Sequence, residues 1–377
     1  MSLILVIDDD PAVQAMLTSV LEHQGHQVVV TNNGEDGVTL ARQLYPGLVI
    51  CDWMIQQSYG LEVCHKIKAE PRLSTVFFIF ITSLDAVADC VQALNAGADD
   101  FITKPIDQNE LTARVRAGLR LHQMSRDLQK QKQLLEAELT EAADYVRSLL
   151  PPPQIKPLTI NSRFIPSRRL GGDCFDYYWL DPDYLAMYLL DTAGHGLGAT
   201  LPSISVLNML RSRALDGINY YQPTEVLRAL NNTFQMTTQN SKYFTIWYGV
   251  YNKINRQLIY SNAGHPPAVL FSETPTLQVT KLETPSIPIG MFPDTNYKDK
   301  FFQIPESSTL YIFSDGVYEL HLTDGSIWQL DNFIELLKAD HLAENCDLDN
   351  ILSQLSQINS KDSFDDDLSI LQIRFDN

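Results

Sequence analysis

Along the first 120 residues, short and nearly continuous apolar runs alternate with longer amphipathic stretches. The apolar runs predict strands over 3–7, 27–30, 48–51, 76–81 and 100–102. Helical spacing lies between them, near 11–24, 34–44, 59–69, 85–96 and 107–120. Strands that lack a polar face belong to a parallel sheet covered on both sides. Five β/α repeats with right-handed crossovers therefore predict a doubly wound α/β domain over 1–120. Its site belongs at the carboxyl ends of the strands.

Residues 121–150 follow another period. Leu121, Leu128, Leu135, Ala142 and Leu149 recur every seven residues, beside a more polar seam of Ser125, Lys132, Leu139 and Val146. No Pro or Gly interrupts before Pro151. This predicts a helical linker of about four heptads, read either as a lone amphipathic helix packed on one domain or as a two-stranded coiled coil. Strand patterns return at 185–190, 244–252, 257–261, 268–271, 309–313 and 368–375. Helical patterns cover 198–215, 224–240, 331–338 and 348–357. Strands grouped with strands, and helices with helices, predict an α+β domain of β-sheets flanked by helices over 151–377.

Length and composition narrow the function classes. The chain has 377 residues, 45% of them hydrophobic, which suits two or three globular domains. Its 46 acidic residues against 28 basic ones give a net charge of −18, and no segment forms a basic patch. That balance repels nucleic acid and anionic lipid, so neither is expected as a partner. Cys51, Cys64, Cys90, Cys174 and Cys346 are scattered, with no C-x-x-C pair. This argues against a disulfide framework or a thiolate zinc site and fits a reducing cytosol. The apolar opening ends after five residues without a basic lead, too short for a signal peptide. No run reaches the about 18 apolar residues of a membrane span, so a cytoplasmic protein is expected.

Candidate chemistry first gathers at the ends of the predicted N-terminal strands. Asp8, Asp9 and Asp10 follow the first strand, Asp52 ends the third, Thr82 ends the fourth and Lys104 follows the fifth. Singly these are a turn, a strand-end cap and a surface charge; together they line one edge of one sheet. Clustered carboxylates repel one another unless a cation neutralises them, and an all-oxygen donor set suits Mg²⁺. A lysine and a hydroxyl beside such an ion would stabilise a phosphoryl group on Asp52.

The set Ile7-Asp8-Asp9-Asp10-Pro11, Cys51-Asp52 with Gly60 eight residues on, Thr82-Ser83, Ala96-Gly97-Ala98-Asp99-Asp100 and Lys104-Pro105 resembles the receiver domain of bacterial two-component response regulators. The resemblance implies a phosphoryl group accepted by Asp52 from a histidine kinase. It implies Mg²⁺ held by Asp8, Asp9, Asp52 and the Met54 carbonyl, Thr82 and Phe101 as a switch pair, and Lys104 as the phosphate-binding lysine. Gln56 stands where that family usually has proline, a departure that bears on the loop after Asp52.

A second acidic set is spread over the C-terminal region: Gly171-Gly172-Asp173, Asp191-Thr192-Ala193-Gly194-His195-Gly196, Ser314-Asp315-Gly316 and Asp365-Asp366-Asp367-Leu368-Ser369. Aspartate beside glycine is common turn chemistry. Four such turns, with no cysteine or histidine cluster competing, suggest a carboxylate-lined site for hard divalent ions, and two close ions fit phosphate-ester hydrolysis. In order and spacing these motifs resemble the metal-dependent type 2C protein phosphatases, in the branch of sporulation protein E and sigma-regulator phosphatases. Leu149-Leu150-Pro151, Asn262-Ala263-Gly264-His265-Pro266-Pro267, Ile287-Pro288-Ile289-Gly290 and Ser314-Asp315-Gly316-Val317-Tyr318-Glu319 extend the match.

That resemblance implies a central β-sandwich flanked by helices. Mn²⁺ or Mg²⁺ would be held by Asp173, Asp191, Asp315 and Asp366, with Asp191 bridging and the Thr192 carbonyl as a backbone ligand. It implies a phosphoserine or phosphothreonine protein as substrate, of the anti-sigma-factor-antagonist kind, and the linker implies a homodimer. His195 and His265 are read as structural residues beside glycine turns; Asp176 and Asp367 lie near enough in sequence to assist a third ion.

Two other readings carry less. Gly171-Gly172-Asp173-Cys174-Phe175 resembles the Gly-Gly-Asp-Glu-Phe signature of diguanylate cyclases, but Cys174 replaces the glutamate and the later motifs have no place there. A non-catalytic dimeric receiver scaffold that binds a signalling partner would have no need of four intact metal aspartates.

Overall fold

The computed structural model describes residues 1–55, 58–83, 95–236, 242–273, 276–343, 347–361 and 363–375. The chain divides into two compact units, Met1–Ala137 and Glu138–Asn377. Gln56, Cys90, Cys346 and most of the helical pattern at 85–96 lie outside the described residues.

In the first unit, β1 (Leu3–Ile7), α1 (Pro11–His23), β2 (Gln27–Thr31), α2 (Gly34–Leu44) and β3 (Leu48–Asp52) alternate as their patterns dictate. Two short strands, β4 (Met54–Ile55) and β5 (Ser58–Tyr59), form a hairpin before α3 (Gly60–Lys68). β6 (Phe77–Thr82) and β7 (Asp100–Thr103) complete a five-stranded, all-parallel sheet in the order β2-β1-β3-β6-β7. Successive residues of β1 feed opposite faces. Leu5 and Ile7 join one core with Val38, Val63 and Phe80, while Ile4 and Val6 join another with Leu17, Leu21 and Leu111. Two covered faces are why these strands read as unbroken apolar runs. The chain order reverses between β1 and β3, so Asp8, Asp9 and Asp52 emerge together at that switch point.

The helical patterns at 107–120 and 121–150 form one uninterrupted helix, α4 (Gln108–Leu149). Nothing in the sequence between them stops a helix, and the boundary between the two units falls inside it. No helix among the described residues is long and apolar enough to cross a membrane.

The second unit is a sandwich of two antiparallel sheets. One contains β9 (Cys174–Trp179), β10 (Tyr184–Thr192), β11 (Phe244–Asn252), β12 (Gln257–Ala263) and β15 (Lys300–Gln303), in the order β15-β12-β11-β10-β9. The other contains β8 (Thr159–Ile165), β13 (Ala268–Ser272), β14 (Gln278–Leu282), β16 (Ser308–Phe313) and β17 (Leu368–Phe375), in the order β14-β13-β16-β17-β8. Leu185, Met187, Leu189 and Trp247 face Leu270, Ile312, Leu371 and Phe375 across the interior.

The alternate residues face outward onto helices. Ala186, Tyr188 and Leu190 pack against α5 (Leu197–Arg211) and α6 (Pro223–Thr233). Phe271, Tyr311 and Phe313 pack against α7 (Leu330–Leu342) and α8 (Leu348–Ile358). Of the predicted helix at 224–240, residues 237–240 lie outside the described residues; before them α6 ends at Thr233, close to where the buried Asn231 side chain turns to Phe292 O and Gly290 N.

Candidate functional site

The N-terminal site is built by strand ends. Asp8, Asp9 and Asp52 each bring a carboxylate oxygen within 4.8 Å of the others. Asp8 Oδ2 is buried without a hydrogen-bond partner. Lys104 reaches across from the end of β7, placing Nζ 2.7 Å from Asp52 Oδ2 and 3.7 Å from Asp8 Oδ2. Burial raises the Asp8 pKa, the Asp10 amide bond opposes it, and the Asp52 charge adds to it. Burial works against the Lys104 ammonium, but its hydrogen bond to Asp52 and the charges of Asp52, Asp8 and Asp10 together outweigh that, leaving its pKa above the ordinary lysine value.

The neighbouring backbone fixes this edge. Trp53 N donates to Ile81 O at 2.9 Å and Lys104 N to Thr82 O at 2.7 Å. Thr82 is buried at the end of β6, and Phe101 sits on the adjacent β7 in register with Phe80. Met54 directs its amide toward Asp52 Oδ1 at 3.5 Å, with its side chain exposed. An acidic trio with one unpartnered buried oxygen, beside a fixed ammonium, fits a small divalent cation and a phosphoryl group together.

The C-terminal site is also made at strand ends, two from each sheet. Asp173 precedes β9, Asp191 lies near the end of β10, Asp315 follows β16 and Asp366 precedes β17. Both carboxylate oxygens of Asp173 are buried with no hydrogen-bond partner. Burial pushes the Asp191 carboxyl up to about 8, assisted by the charges of Asp315, Asp366 and Asp367. Asp315 is raised to about 6 by burial, then by Asp366 and Glu319. Asp173 is raised well above the usual range by burial and by Asp191. Carboxylates that depress one another's ionisation and leave buried oxygens bare fit cation ligands. They stand further apart than the N-terminal trio, which alone among the described residues closes to 4.8 Å.

Asp367 and Asp176 have other employment. Asp367 accepts from Ser167 N at 2.8 Å, Ser167 Oγ at 3.0 Å and Gly172 N, stapling the segment that carries Asp173. Its own backbone carbonyl lies where a Cβ on Gly316 would sit, so the turn after Asp315 admits only glycine without a shift. Asp176 pairs with Arg211 at 2.8 Å. His265 is buried, with Nδ1 2.7 Å from Thr245 Oγ1. Burial drives its pKa down to about 3, so at neutral pH it is the neutral imidazole and not the imidazolium a general acid requires. Asn262 closes its turn, accepting from His265 N at 2.8 Å and donating to His265 O at 2.7 Å. His195 is exposed between Gly194 and Gly196.

Several supporting residues are outside every motif read from the sequence. Thr200 Oγ1 donates to Gly171 O at 2.7 Å, Ser203 Oγ donates to Gly172 O, and Thr192 Oγ1 lies 2.8 Å from Ser203 Oγ. These hydroxyls, three apart on one face of α5, lock the turn after Asp191 onto the turn before Asp173. Two small polar residues on an otherwise apolar helix face were the available signal. Lys242, whose ammonium meets the Ala193 carbonyl, left none.

Residues 181–376 match the model of the Stage II sporulation protein E (SpoIIE) family, and residues 4–116 match the response regulator receiver domain. Over 117 residues the chain is 39% identical to the DNA-binding dual master transcriptional regulator RpaA of Synechocystis sp., covering 31% of this chain and 48% of that protein. It is 41% identical over 117 residues to the DNA-binding response regulator MtrA of Mycolicibacterium smegmatis, covering 31% and 50%. The chain thus spans about half the length of these curated relatives. The solved SiaA-PP2C domain of Pseudomonas aeruginosa superposes with a TM-score of 0.55 at 19% identity, over 65% of this chain and 98% of that domain. At that identity the likeness is one of fold.

Proposed function

The chain belongs to the Stage II sporulation protein E family and carries a response regulator receiver domain; from that premise we propose a phosphorylation-controlled protein serine/threonine phosphatase. In this reading residues 1–120 are the receiver, 121–150 the helical linker and 151–377 the catalytic domain. Asp52 takes a phosphoryl group from a histidine kinase. The substrate is a phosphoserine or phosphothreonine protein of the anti-sigma-factor-antagonist kind.

Divalent cations, held by Asp8, Asp9, Asp52 and the Met54 carbonyl in the receiver and by Asp173, Asp191, the Thr192 carbonyl, Asp315 and Asp366 in the catalytic domain, supply the positive charge that phosphoryl transfer needs. The chain's own residues do the rest. Lys104, 2.7 Å from Asp52 Oδ2, orients that carboxylate and offers its ammonium to a phosphoryl oxygen. The buried Thr82 hydroxyl and Phe101 are the pair whose positions respond to that charge. In the catalytic domain the α5 hydroxyls hold the turns of Asp173 and Asp191 in mutual register, so the acidic frame that would hold the cations is preformed.

The observation that carries this reading is the Asp173–Asp191–Asp315 group: Asp173 is buried with both oxygens unpartnered, and the half-buried Asp191 and Asp315 are raised by burial and by neighbouring carboxylates. The test is Mn²⁺-dependent hydrolysis of a phosphoserine peptide and an aryl phosphate. Turnover is expected in the wild type and lost in Asp315→Asn. A change on adding beryllofluoride is expected in the wild type and absent in Asp52→Asn. Turnover indifferent to both substitutions would overturn the reading.

A further inference from the structure

The turn that carries Asp191 and Thr192 is held from outside by a residue of no motif. Lys242 precedes β11, whose Phe244 pairs with Thr192. Its ammonium donates to the Ala193 carbonyl at 2.7 Å, and the Ala193 amide donates to Tyr243 O at 3.0 Å. The two segments thus clasp one another one residue beyond the ladder. A Cβ on Gly194 would stand 2.6 Å from Lys242 Nζ, and one on Gly198 would stand 3.7 Å from Lys242 Cε. Gly194 also has φ +95°, so it is glycine for its backbone and for the ammonium that passes over it.

The turn needs an outside hold. Gly194 and Gly196 both have positive φ, and two glycines in a three-residue segment leave it many alternative conformations to lose. Its inner side is braced: Gly196 N donates to Leu170 O at 3.1 Å, and Thr192 O abuts Gly172, next to Asp173. On the outer side Lys242 supplies a charge-assisted bond to the carbonyl that follows Thr192.

We propose that Lys242 is a positioning residue of the phosphatase centre, fixing the Ala193 peptide so that Asp191 and the Thr192 carbonyl face a divalent cation in one geometry, with Gly194 as the gap that admits its ammonium. The proposal rests on the reading that Asp191 and Thr192 belong to a metal centre. Partners outside the ligand set typically change metal affinity about 10–100-fold when removed.

The experiment is Mn²⁺ binding to the full chain, followed by the paramagnetic resonance of the free ion. The class of sites lost in Asp315→Asn is the phosphatase class. Lys242→Met is expected to weaken that class about tenfold and leave the remaining class unchanged. Lys242→Arg, which still reaches Ala193 O, restores it, and Gly194→Ala weakens it as Lys242→Met does. At saturating Mn²⁺ the Lys242→Met enzyme recovers its turnover with an unchanged KM for a phosphoserine peptide. Unchanged Mn²⁺ affinity in Lys242→Met, or a raised peptide KM with intact affinity, would overturn the proposal while the metal centre stands. A wild type with no Asp315-dependent class would remove the metal centre and this proposal together.

Discussion

Arg211 donates from Nε to Oδ2 of Asp176 at 2.8 Å, and Asp176 is only 1% exposed. The same guanidinium donates to the carbonyl of Leu149, the last residue of α4, at 3.0 Å. Burial raises the Asp176 carboxyl and Arg211 pulls it part of the way back. One arginine therefore joins the end of the linker helix, the strand that follows Asp173 and the helix that follows the Asp191 turn.

Removing the arginine should hurt more than removing the pair. Arg211→Met leaves a buried carboxylate with no cation, and about 3 kcal/mol of stability is expected to go, the low end of the range because Arg211 is itself part-exposed. Arg211→Met with Asp176→Leu should recover most of it. Urea unfolding of the two variants decides this; equal losses would show that the pair, and not the orphaned charge, sets the stability.

Metal removal should leave the acidic frame under strain that protons relieve. Asp191 has a folded pKa of about 8 against an ordinary 3.8, so between those values the metal-free folded protein binds a proton that the unfolded chain does not. Stability of chelated protein is thus highest at low pH on this account and falls as pH rises through about 8. Asp191→Asn should stabilise the chelated protein at pH 7 and abolish the stabilisation that Mn²⁺ gives the wild type. Melting temperatures with chelator and with Mn²⁺ test both halves.

Asp52, Asp191 and Asp315 were legible because each combines a local turn signal with the end of a strong apolar run; Asp173, which precedes the unread β9, was legible through its Gly-Gly-Asp motif. The six C-terminal strands read from periodicity, β10, β11, β12, β13, β16 and β17, are all interior to their sheets. The four it missed, β8, β9, β14 and β15, are all edges. An edge has one neighbour and more water, so β8 carries Asn161, Ser162 and Arg163, and β15 is only four residues long. The bracing of the site was hidden for another reason: Thr200, Ser203 and Lys242 act through backbone carbonyls, and a carbonyl partner leaves no residue-type signature.

His265 should make acid destabilising. Its folded pKa is about 3 against an ordinary 6.5, so below pH 6.5 the unfolded chain takes up a proton that the folded one refuses. The stability it contributes is complete above 6.5 and is lost as pH falls, by roughly 1.4 kcal/mol per pH unit, until about pH 3. The sign is opposite to that of Asp191, so the two are separable. The difference in unfolding free energy between wild type and His265→Gln should shrink from pH 7 to pH 5; a difference that stays constant would mean that His265 titrates normally.

The exposed seam of α4 predicts a second copy. Leu121, Leu128 and Leu135 are 49%, 69% and 56% exposed and stand one heptad apart, with Met124 also exposed. A polar helix gains nothing from apolar residues at that spacing unless a like seam covers them, and each leucine so buried contributes about 1.5–3 kcal/mol. Leu128→Lys with Leu135→Lys should therefore convert a dimer to a monomer in light scattering, while Asp315→Asn keeps the dimer mass. The double variant should also lose its response to beryllofluoride while keeping Mn²⁺-dependent turnover, because the seam is remote in sequence from every metal aspartate. A wild type that is monomeric at micromolar concentration would remove the dimer, and a beryllofluoride response surviving in the monomeric variant would show that Asp52 acts on the phosphatase within one chain.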